Sequence, residues 1–362
     1  MLYQLAHKIR AQIHHFSGKL SYGLSKPQSR FVEEMLYGLN AGQCVMLSSI
    51  SRTLNESIKL IKTENRLCRN LGNGFLHLHL QRALARHLGY HEDALVPLYG
   101  HLYSAKAPDF RSENHELFKA IDMVRHAAQG KGIWVMDRGG DRNQLYDYLL
   151  GHHQRFILRL TQKRHLLAGT KSSRKADMLT LAHEMKLPYT QDFIRSKEGA
   201  TWSTTLRYGA RKVRLPEHPD QVLTMVVVRG FGEKPLVLLT NVQASPLKIM
   251  QNYLARWKVE ETIRFMKQTY DLENVRLLTY QRLQNLFALV MGAVAFGMSY
   301  LSLQLKLQAM FTKVIQAGKA LFETPDFHYY VLAQGLRNVF QRHPKPLYKP
   351  IHPPNPHQLS LF

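Results

Sequence analysis

The stretch that decides the fold is GIWVMDRGGDR, residues 132–142. Its first half is a short apolar run without alternation, which predicts a strand buried on both faces in an α/β protein. Asp137 follows this run directly, so it lies at the carboxyl end of the predicted strand, where open α/β sheets place their sites. Gly139 and Gly140 allow the backbone or a ligand to come close to that edge. The sequence therefore predicts an α/β fold with a functional site that begins at Asp137.

Two roles are open for Asp137. Its carboxylate could hold Mg²⁺ while Arg138 and Arg142 take phosphate oxygens. It could equally serve as the N-cap of a helix that begins near Asp141. The motif by itself favours neither role.

The surrounding pattern alternates between helical and strand periodicities. A β-rich segment over 165–240 has a predicted hairpin loop at 230–234, with the sequence Gly-Phe-Gly-Glu-Lys. The predicted elements are helices over 76–88, 113–129 and 143–150, strands over 94–103, 132–137 and 155–160, and a long helix from Ser245 to Tyr270.

A second group of residues lies on that long helix. Tyr253, Arg256, Glu260 and Lys267 are separated by three, four and seven residues, so a continuous helix places them on one face. Glu260 could bind Mg²⁺, Arg256 and Lys267 could hold a nucleic-acid backbone, and Tyr253 could bond a phosphate. The alternative is a solvated ladder of salt bridges, and the spacing alone favours that alternative.

The charge of the chain points to a polyanionic partner. There are 49 lysines and arginines against 26 aspartates and glutamates, which gives a net charge of +23. Nucleic acid neutralises such a charge through phosphate contacts and counterion release. A general basic or ribosome-associated cytosolic protein is the alternative. The two cysteines, Cys44 and Cys68, form no disulfide framework, which fits a reducing cytoplasm.

The first 72 residues are predicted to be helical. Between residues 46 and 61 apolar residues recur at helical spacing with basic residues around them, which fits a helix-turn-helix-like DNA reader or a plain basic helical domain equally well. These apolar residues are Met46, Leu47, Ile50, Leu54, Ile58 and Ile61.

A further apolar run, Leu286 to Met298, raises the question of a membrane span. A spanning helix needs about 20 predominantly apolar residues, so a buried core helix is favoured and no membrane partner is expected. The tail after residue 342 is rich in proline and is expected to be extended or disordered.

Both groups of residues resemble parts of the DD-E transposases of bacterial insertion sequences. Tyr-x2-Arg-x3-Glu-x6-Lys, with Trp257 after the arginine, is similar to the signature of that family. The Asp137-Arg138-Gly139 motif resembles its second Asp motif, and the β-rich segment resembles the insertion that precedes its Glu. One branch is further matched at residues 96–99, 102–104, 107–110 and 112–114, so that the resemblance covers about residues 94–300.

The resemblance implies a ribonuclease H-like core, a mixed sheet flanked by helices, with an inserted β-rich subdomain and helical N- and C-terminal regions. Three carboxylates would hold two Mg²⁺ ions, with Asp137 as the second carboxylate and Glu260 as the third. Tyr253, Arg256 and Lys267 would position the phosphate. The expected partner is double-stranded DNA, as transposon ends and target, bound by a homodimer. The segments are 1–72 (DNA binding), 73–164 and 241–300 (core), 165–240 (insertion), 301–342 (C-terminal helices) and 343–362 (tail).

The sequence departs from this family at the first Asp. The family core runs three antiparallel strands, a helix and then the strand with the second Asp, but only one strand is found before the helix at 113–129. Between Glu64 and Asp109 the only acidic residues are Glu92 and Asp93. A segment missing between about 72 and 92 explains this, and predicts weak or absent cleavage with DNA binding retained. Alternatively, Asp93 or Asp109 takes the place of the first Asp. The alternative function is that of a non-catalytic remnant, which occupies transposon ends or interferes with an intact transposase.

Overall fold

The computed structural model of the protein describes residues 2–88, 95–96, 110–171, 174–197, 200–301, 312–315 and 329–348. The chain folds into two compact units. The sheet unit is Tyr90–Glu260, and the helical unit combines Met1–Gly89 with Glu261–Phe362.

A mixed sheet of nine strands organises the sheet unit. Its strand order is β1-β2-β3-β9-β8-β7-β4-β5, and β6 pairs with β7. The first three strands run parallel and the remaining pairs are antiparallel. The strands are β1 (Leu95–Val96), β2 (Ile133–Met136), β3 (Arg155–Arg159), β4 (His165–Ala168), β5 (Lys175–Asp177), β6 (Tyr189–Lys197), β7 (Ala200–Leu215), β8 (His218–Arg229) and β9 (Leu236–Thr240).

The strand before Asp137 is buried on both faces, as its unbroken apolar run predicts. Because side chains alternate along a strand, Trp134 packs with the apolar cluster that contains residues of α6 and α7. Val135 points the other way, into the cluster that contains residues of α9. The helices of this unit are α6 (Glu113–Ala127), α7 (Asn143–Gly151), α8 (Met178–His183), α9 (Pro246–Ala255) and the start of α10 (Trp257–Tyr270).

The β-rich segment is continuous with the core sheet. Its last strand, β9, pairs with β3 in antiparallel register, with Leu239 opposite Leu158. The loop predicted at 230–234 joins β8 to β9, which form an antiparallel pair. The expected α/β architecture, a mixed sheet flanked by helices with helical terminal regions, is confirmed. Of the strand predicted over 94–103, the described residues include Leu95–Val96 alone.

The helical unit has one apolar core drawn from both ends of the chain. The apolar run that begins at Leu286 lies in α11, whose side chains are largely buried, so the predicted core helix is confirmed. None of the helices in the described ranges is long and apolar enough to cross a bilayer. The helices are α1 (Leu2–Leu20), α2 (Lys26–Gly42), α3 (Leu47–Thr53), α4 (Leu60–Leu71), α5 (Leu76–Leu88), α11 (Tyr280–Ala295) and α12 (Tyr329–Arg342), with a helical turn at 312–315.

The helical pattern predicted from Met46 to Ile61 is interrupted. Helix α3 ends at Thr53, and Asn55 adopts a left-handed backbone conformation with φ of 48°. Ile50 is buried, whereas Ile58 and Ile61 lie beyond this turn and are 48% and 58% exposed. The helical spacing therefore does not continue through the whole stretch, because the turn separates the first four apolar residues from the last two.

Four charged residues fasten α4 to α2. Glu34 is buried and pairs with Arg30 at 2.7 Å and with Arg66 at 3.0 Å. Glu56, in the turn before α4, also pairs with both arginines, in each case at 3.0 Å. Burial of Glu34 raises the pKa of its carboxyl above the usual value. Because each carboxylate has two cationic partners, the network holds the α3–α4 turn in a fixed place.

Candidate active site

The loop after β2 presents Asp137 to solvent. Its Oδ1 atom accepts a hydrogen bond from the Gly139 N–H at 2.9 Å, and so caps a short 3₁₀ turn over Arg138–Gly140. The proposed capping role is thus met for this turn, whereas α7 starts later, at Asn143. Within the described residues the Oδ2 atom accepts no hydrogen bond. The carboxylate can therefore cap the turn and still offer an oxygen to a ligand.

Gly140 is needed for the loop to lie close to the sheet. A Cβ atom at this position would come within 2.8 Å of the Met136 Cβ and 3.2 Å of the Leu158 Cδ2. These contacts are shorter than van der Waals packing allows. The backbone therefore approaches the sheet edge closely at residue 140, as predicted, and only a residue without a side chain fits there.

Asp141 holds the loop in place, a role that the sequence did not reveal. Its side chain is fully buried and pairs with the Arg164 Nε at 2.7 Å. The Thr161 N–H and Oγ1 donate to its Oδ2 at 2.6 and 2.7 Å, and the Tyr146 hydroxyl donates to its Oδ1 at 3.1 Å. Burial, and then the charge of Asp141, raise the pKa of Tyr146 well above its usual range, so this hydroxyl stays a donor. Both carboxylate oxygens of Asp141 are thus already engaged.

The two arginines of the motif differ. The Arg142 Nε donates to the Gly139 carbonyl at 2.7 Å, and its Nη1 donates to the Asn114 Oδ1, also at 2.7 Å. Arg142 therefore clamps the loop to the start of α6. Arg138 is exposed and makes no hydrogen bond or ion pair within the described part of the chain. Of the two predicted phosphate ligands, Arg138 is the one whose guanidinium is not already used by the fold.

The predicted long helix is divided in two at Arg256. Ser245 caps α9 as expected, because its Oγ accepts from the Lys248 N–H at 3.3 Å. At the junction the Arg256 N–H bonds to the Tyr253 carbonyl and the Val259 N–H to the Arg256 carbonyl. Both bonds span three residues in place of four, and such steps turn the chain further per residue. The expectation of one continuous helix from Ser245 to Tyr270 is therefore wrong, and with it the strict common face.

The residues around the break have different environments. Tyr253 is buried, and its hydroxyl has no hydrogen-bond partner within the described residues. Arg256 pairs with Glu260 at 3.1 Å, and the Glu260 side chain is 48% exposed. The Arg256 guanidinium also lies 5.7 Å from the Trp257 ring centroid. Lys267 is exposed and belongs to the helical unit, so it is not described together with these residues.

Packing places the Glu260 helix break beside the Asp137 strand. Tyr253 belongs to the same buried cluster as Val135, which is two residues before Asp137. Asp137 thus directly follows a strand that packs against α9, and Glu260 lies in the first turn of α10, five residues after α9 ends. Among the described residues no group of three or more His, Cys, Asp or Glu side chains could hold a metal ion. Glu92, Asp93 and Asp109 lie outside the described residues.

The comparison with known families gives a match over this region. The family model described as a transposase DDE domain matches residues 79–296, which is 218 of the 362 residues. No curated protein matches the chain. The matched range contains β2 with Asp137, the β-rich segment and the helix break with Glu260. Since the match covers more than half of the chain, the protein belongs to the transposase DDE domain family.

Proposed function

We propose that this chain is a transposase-like DNA-binding protein of DNA transposition, built for metal-dependent strand cleavage and transfer but impaired in that chemistry. The observation that supports the proposal most is the packing of Tyr253, the first residue of the Tyr-Arg-Glu-Lys signature, in the same buried cluster as Val135 of the strand that precedes Asp137. The exposed carboxylates of Asp137 and Glu260 are the groups on which the chemistry depends.

The residues present fit a divalent cation in part. Mg²⁺ prefers carboxylate oxygens, and Asp137 and Glu260 would hold it. Divalent ions held there would supply activation of water or a 3′-hydroxyl for attack on a phosphate, and stabilisation of the leaving oxygen. Arg138 would bind a phosphate oxygen near Asp137. Arg256 would orient Glu260 through their ion pair, and Lys267 completes the set that we assign to phosphate positioning. The Tyr253 hydroxyl is buried, so this residue would act on the helix break from beneath and not by a direct bond to a phosphate.

The sheet suggests why cleavage is impaired. Parallel strands place their carboxyl ends at one edge, so β1 and β3 are the strands that could add a carboxylate beside Asp137. The residues after β1, 97–108, include no Asp or Glu, and neither do residues 160–163 after β3. A two-metal site shares its ions between several carboxylates. We therefore expect weak or absent cleavage, unless Asp93 or Asp109 takes the first position.

The test is a cleavage assay with duplexes that carry the inverted repeats flanking the gene. With Mg²⁺ or Mn²⁺ the protein should bind these duplexes and leave both strands intact. Strand cleavage that is abolished by Asp137→Ala would contradict the impairment and establish an active transposase. If the duplexes are not bound at all, the proposed function itself is wrong.

We assign reading of the transposon ends to α3 and α4, on the interpretation that these two helices are a helix-turn-helix-like reader and not part of a plain basic helical domain. Arg52, Lys59, Lys62 and Arg69 are exposed there, whereas Arg66 is bound to Glu34 and Glu56. The exposed cations suit phosphate contacts, which fix a DNA-binding helix on the duplex. Replacing Lys59 and Lys62 together with glutamine should weaken duplex binding and lower its dependence on salt.

The second candidate is a non-catalytic remnant that occupies transposon ends or interferes with an intact transposase in the cytoplasm. The ion-pair network that fixes the α3–α4 turn favours this candidate, because it would keep a DNA-binding surface in place without any chemistry. Adding the protein to an intact transposase of the same element should then inhibit cleavage. Light scattering on the protein–DNA complex tests the expected homodimer.

A further inference from the structure

A groove in the helical unit has no role in the function proposed so far. It lies along α1 and α5 and has a volume of about 590 Å³. Its lining is basic and aromatic, and is formed by His14, His15, Gly18, Lys19, Tyr22, Ala83, Arg86 and His87. It is separate from the α3–α4 pair, since none of the residues of those helices contributes to the lining.

The two helices that form the groove carry positive charge alone. Neither α1, with 19 residues, nor α5, with 13, contains an Asp or Glu, although the chain has 26 of them. The Glu33 carboxylate of α2 lies 3.0 Å from the His14 Nδ1, at one point of the lining. The two helices themselves therefore add only positive charge to the groove, through Lys19 and Arg86.

An aromatic ring lies beside one of the two cations of the groove. The Lys19 ammonium lies 5.4 Å from the centroid of the Tyr300 ring. His87 meets Phe16 edge to face, with ring centroids 5.1 Å apart. Lys19 and Arg86 are both exposed, and neither has a carboxylate partner within the described residues. Tyr22 is 83% exposed and adds a hydroxyl donor. The groove thus offers two exposed cations and several hydrogen-bond donors.

We infer that this groove binds the phosphate backbone of duplex DNA, as a second contact in addition to α3–α4. Lysine and arginine neutralise phosphates, and histidine and tyrosine donate hydrogen bonds to phosphate oxygens. A run of such donors suits a repeating polyanion. The inference rests on the proposed DNA-binding function and adds the surface through which part of it acts.

The test compares two double variants of the full-length protein. Lys19→Gln with Arg86→Gln removes the two cations of the groove, and Lys131→Gln with Lys171→Gln removes two exposed cations that do not line it. Binding to a short labelled duplex is measured by fluorescence anisotropy as the salt concentration is raised. The logarithm of the binding constant falls with the logarithm of the salt concentration, with a slope of about −0.9 for each phosphate contact. Each contact therefore lowers the affinity by a further factor of about 3.5 when the salt is raised from about 50 to about 200 mM.

The wild-type affinity should therefore fall about 12-fold more over this range than that of the groove variant, which has lost two contacts. The control variant should keep the wild-type slope. An equal loss of slope in both variants would show an effect of total charge and would overturn the inference. A groove variant with the wild-type slope would also overturn it, while duplex binding by the wild type would leave the proposed function standing. If the wild type does not bind the duplex, the proposed function fails first.

Crosslinking gives a second readout that does not depend on the charge variants. p-Benzoylphenylalanine in place of Tyr22 should crosslink to the labelled duplex, whereas the same group in place of the exposed Tyr189 of the sheet unit should not. No crosslink from position 22, in protein that binds the duplex, would overturn the inference. Preferential crosslinking to an RNA duplex of the same sequence would overturn the assignment to DNA.

Discussion

Replacing Asp141 with alanine removes the acceptor of four hydrogen bonds and leaves Arg164 without its carboxylate partner. The Arg164 side chain is only 12% exposed, so water cannot replace the lost carboxylate fully. Removing one partner of a buried ion pair costs about 3–5 kcal/mol. The free energy of unfolding of the sheet unit should fall by about that amount.

Asp137→Ala is the matched control, since it changes the same residue type four positions earlier. Asp137 is exposed and caps a single 3₁₀ turn, and the loss of a cap costs about 1 kcal/mol. Urea denaturation, followed by circular dichroism, measures both variants against the wild type. If the two variants lose the same stability, or if Asp141→Ala loses less than about 1 kcal/mol, the division into a structural Asp141 and an available Asp137 is wrong.

Two further predictions concern the helical unit. Asn285 is fully buried and donates to the carbonyls of Leu71 and Asn73 at 2.8 and 2.7 Å. Asn285→Ala should therefore lower the free energy of unfolding by about 2–4 kcal/mol. An unchanged thermal denaturation curve would contradict this role. Burial, and then Lys19, lower the pKa of His87 below its ordinary value of 6.5. The unfolded chain therefore binds more protons, and the wild type should gain stability as the pH rises towards 6.5. The stability of His87→Gln should rise less over the same interval, and equal pH profiles for the two proteins would refute the shift.

The buried strand and the position of Asp137 at its end were predictable from the sequence because their signals are local. Four apolar residues followed directly by Asp137 specify both a strand and the end at which the acid lies. The core helix at Leu286 was predictable for the same reason, since its apolar run is too short to span a bilayer.

The remaining features depend on contacts between distant residues. The partners of Asp141 at Thr161 and Arg164 come from the turn after β3, about 20 residues later, so no local spacing reveals them. The break at Arg256 contains no glycine or proline, and it is visible only in the backbone hydrogen bonds. The exposure of Ile58 follows from the left-handed conformation of Asn55, which the apolar spacing does not indicate.

The central claim is that Asp137 and Glu260 are what is left of a two-metal DNA-cleaving site. The most direct test is to soak a crystal of the protein with Mn²⁺ and to locate the bound metal. An anomalous difference map locates the bound ions without reference to activity. The account predicts a single Mn²⁺ with Asp137 and Glu260 among its ligands, and no such ion in Asp137→Ala. Mn²⁺ bound elsewhere, or a pair of ions completed by the carboxylate of Asp93 or Asp109, would contradict it.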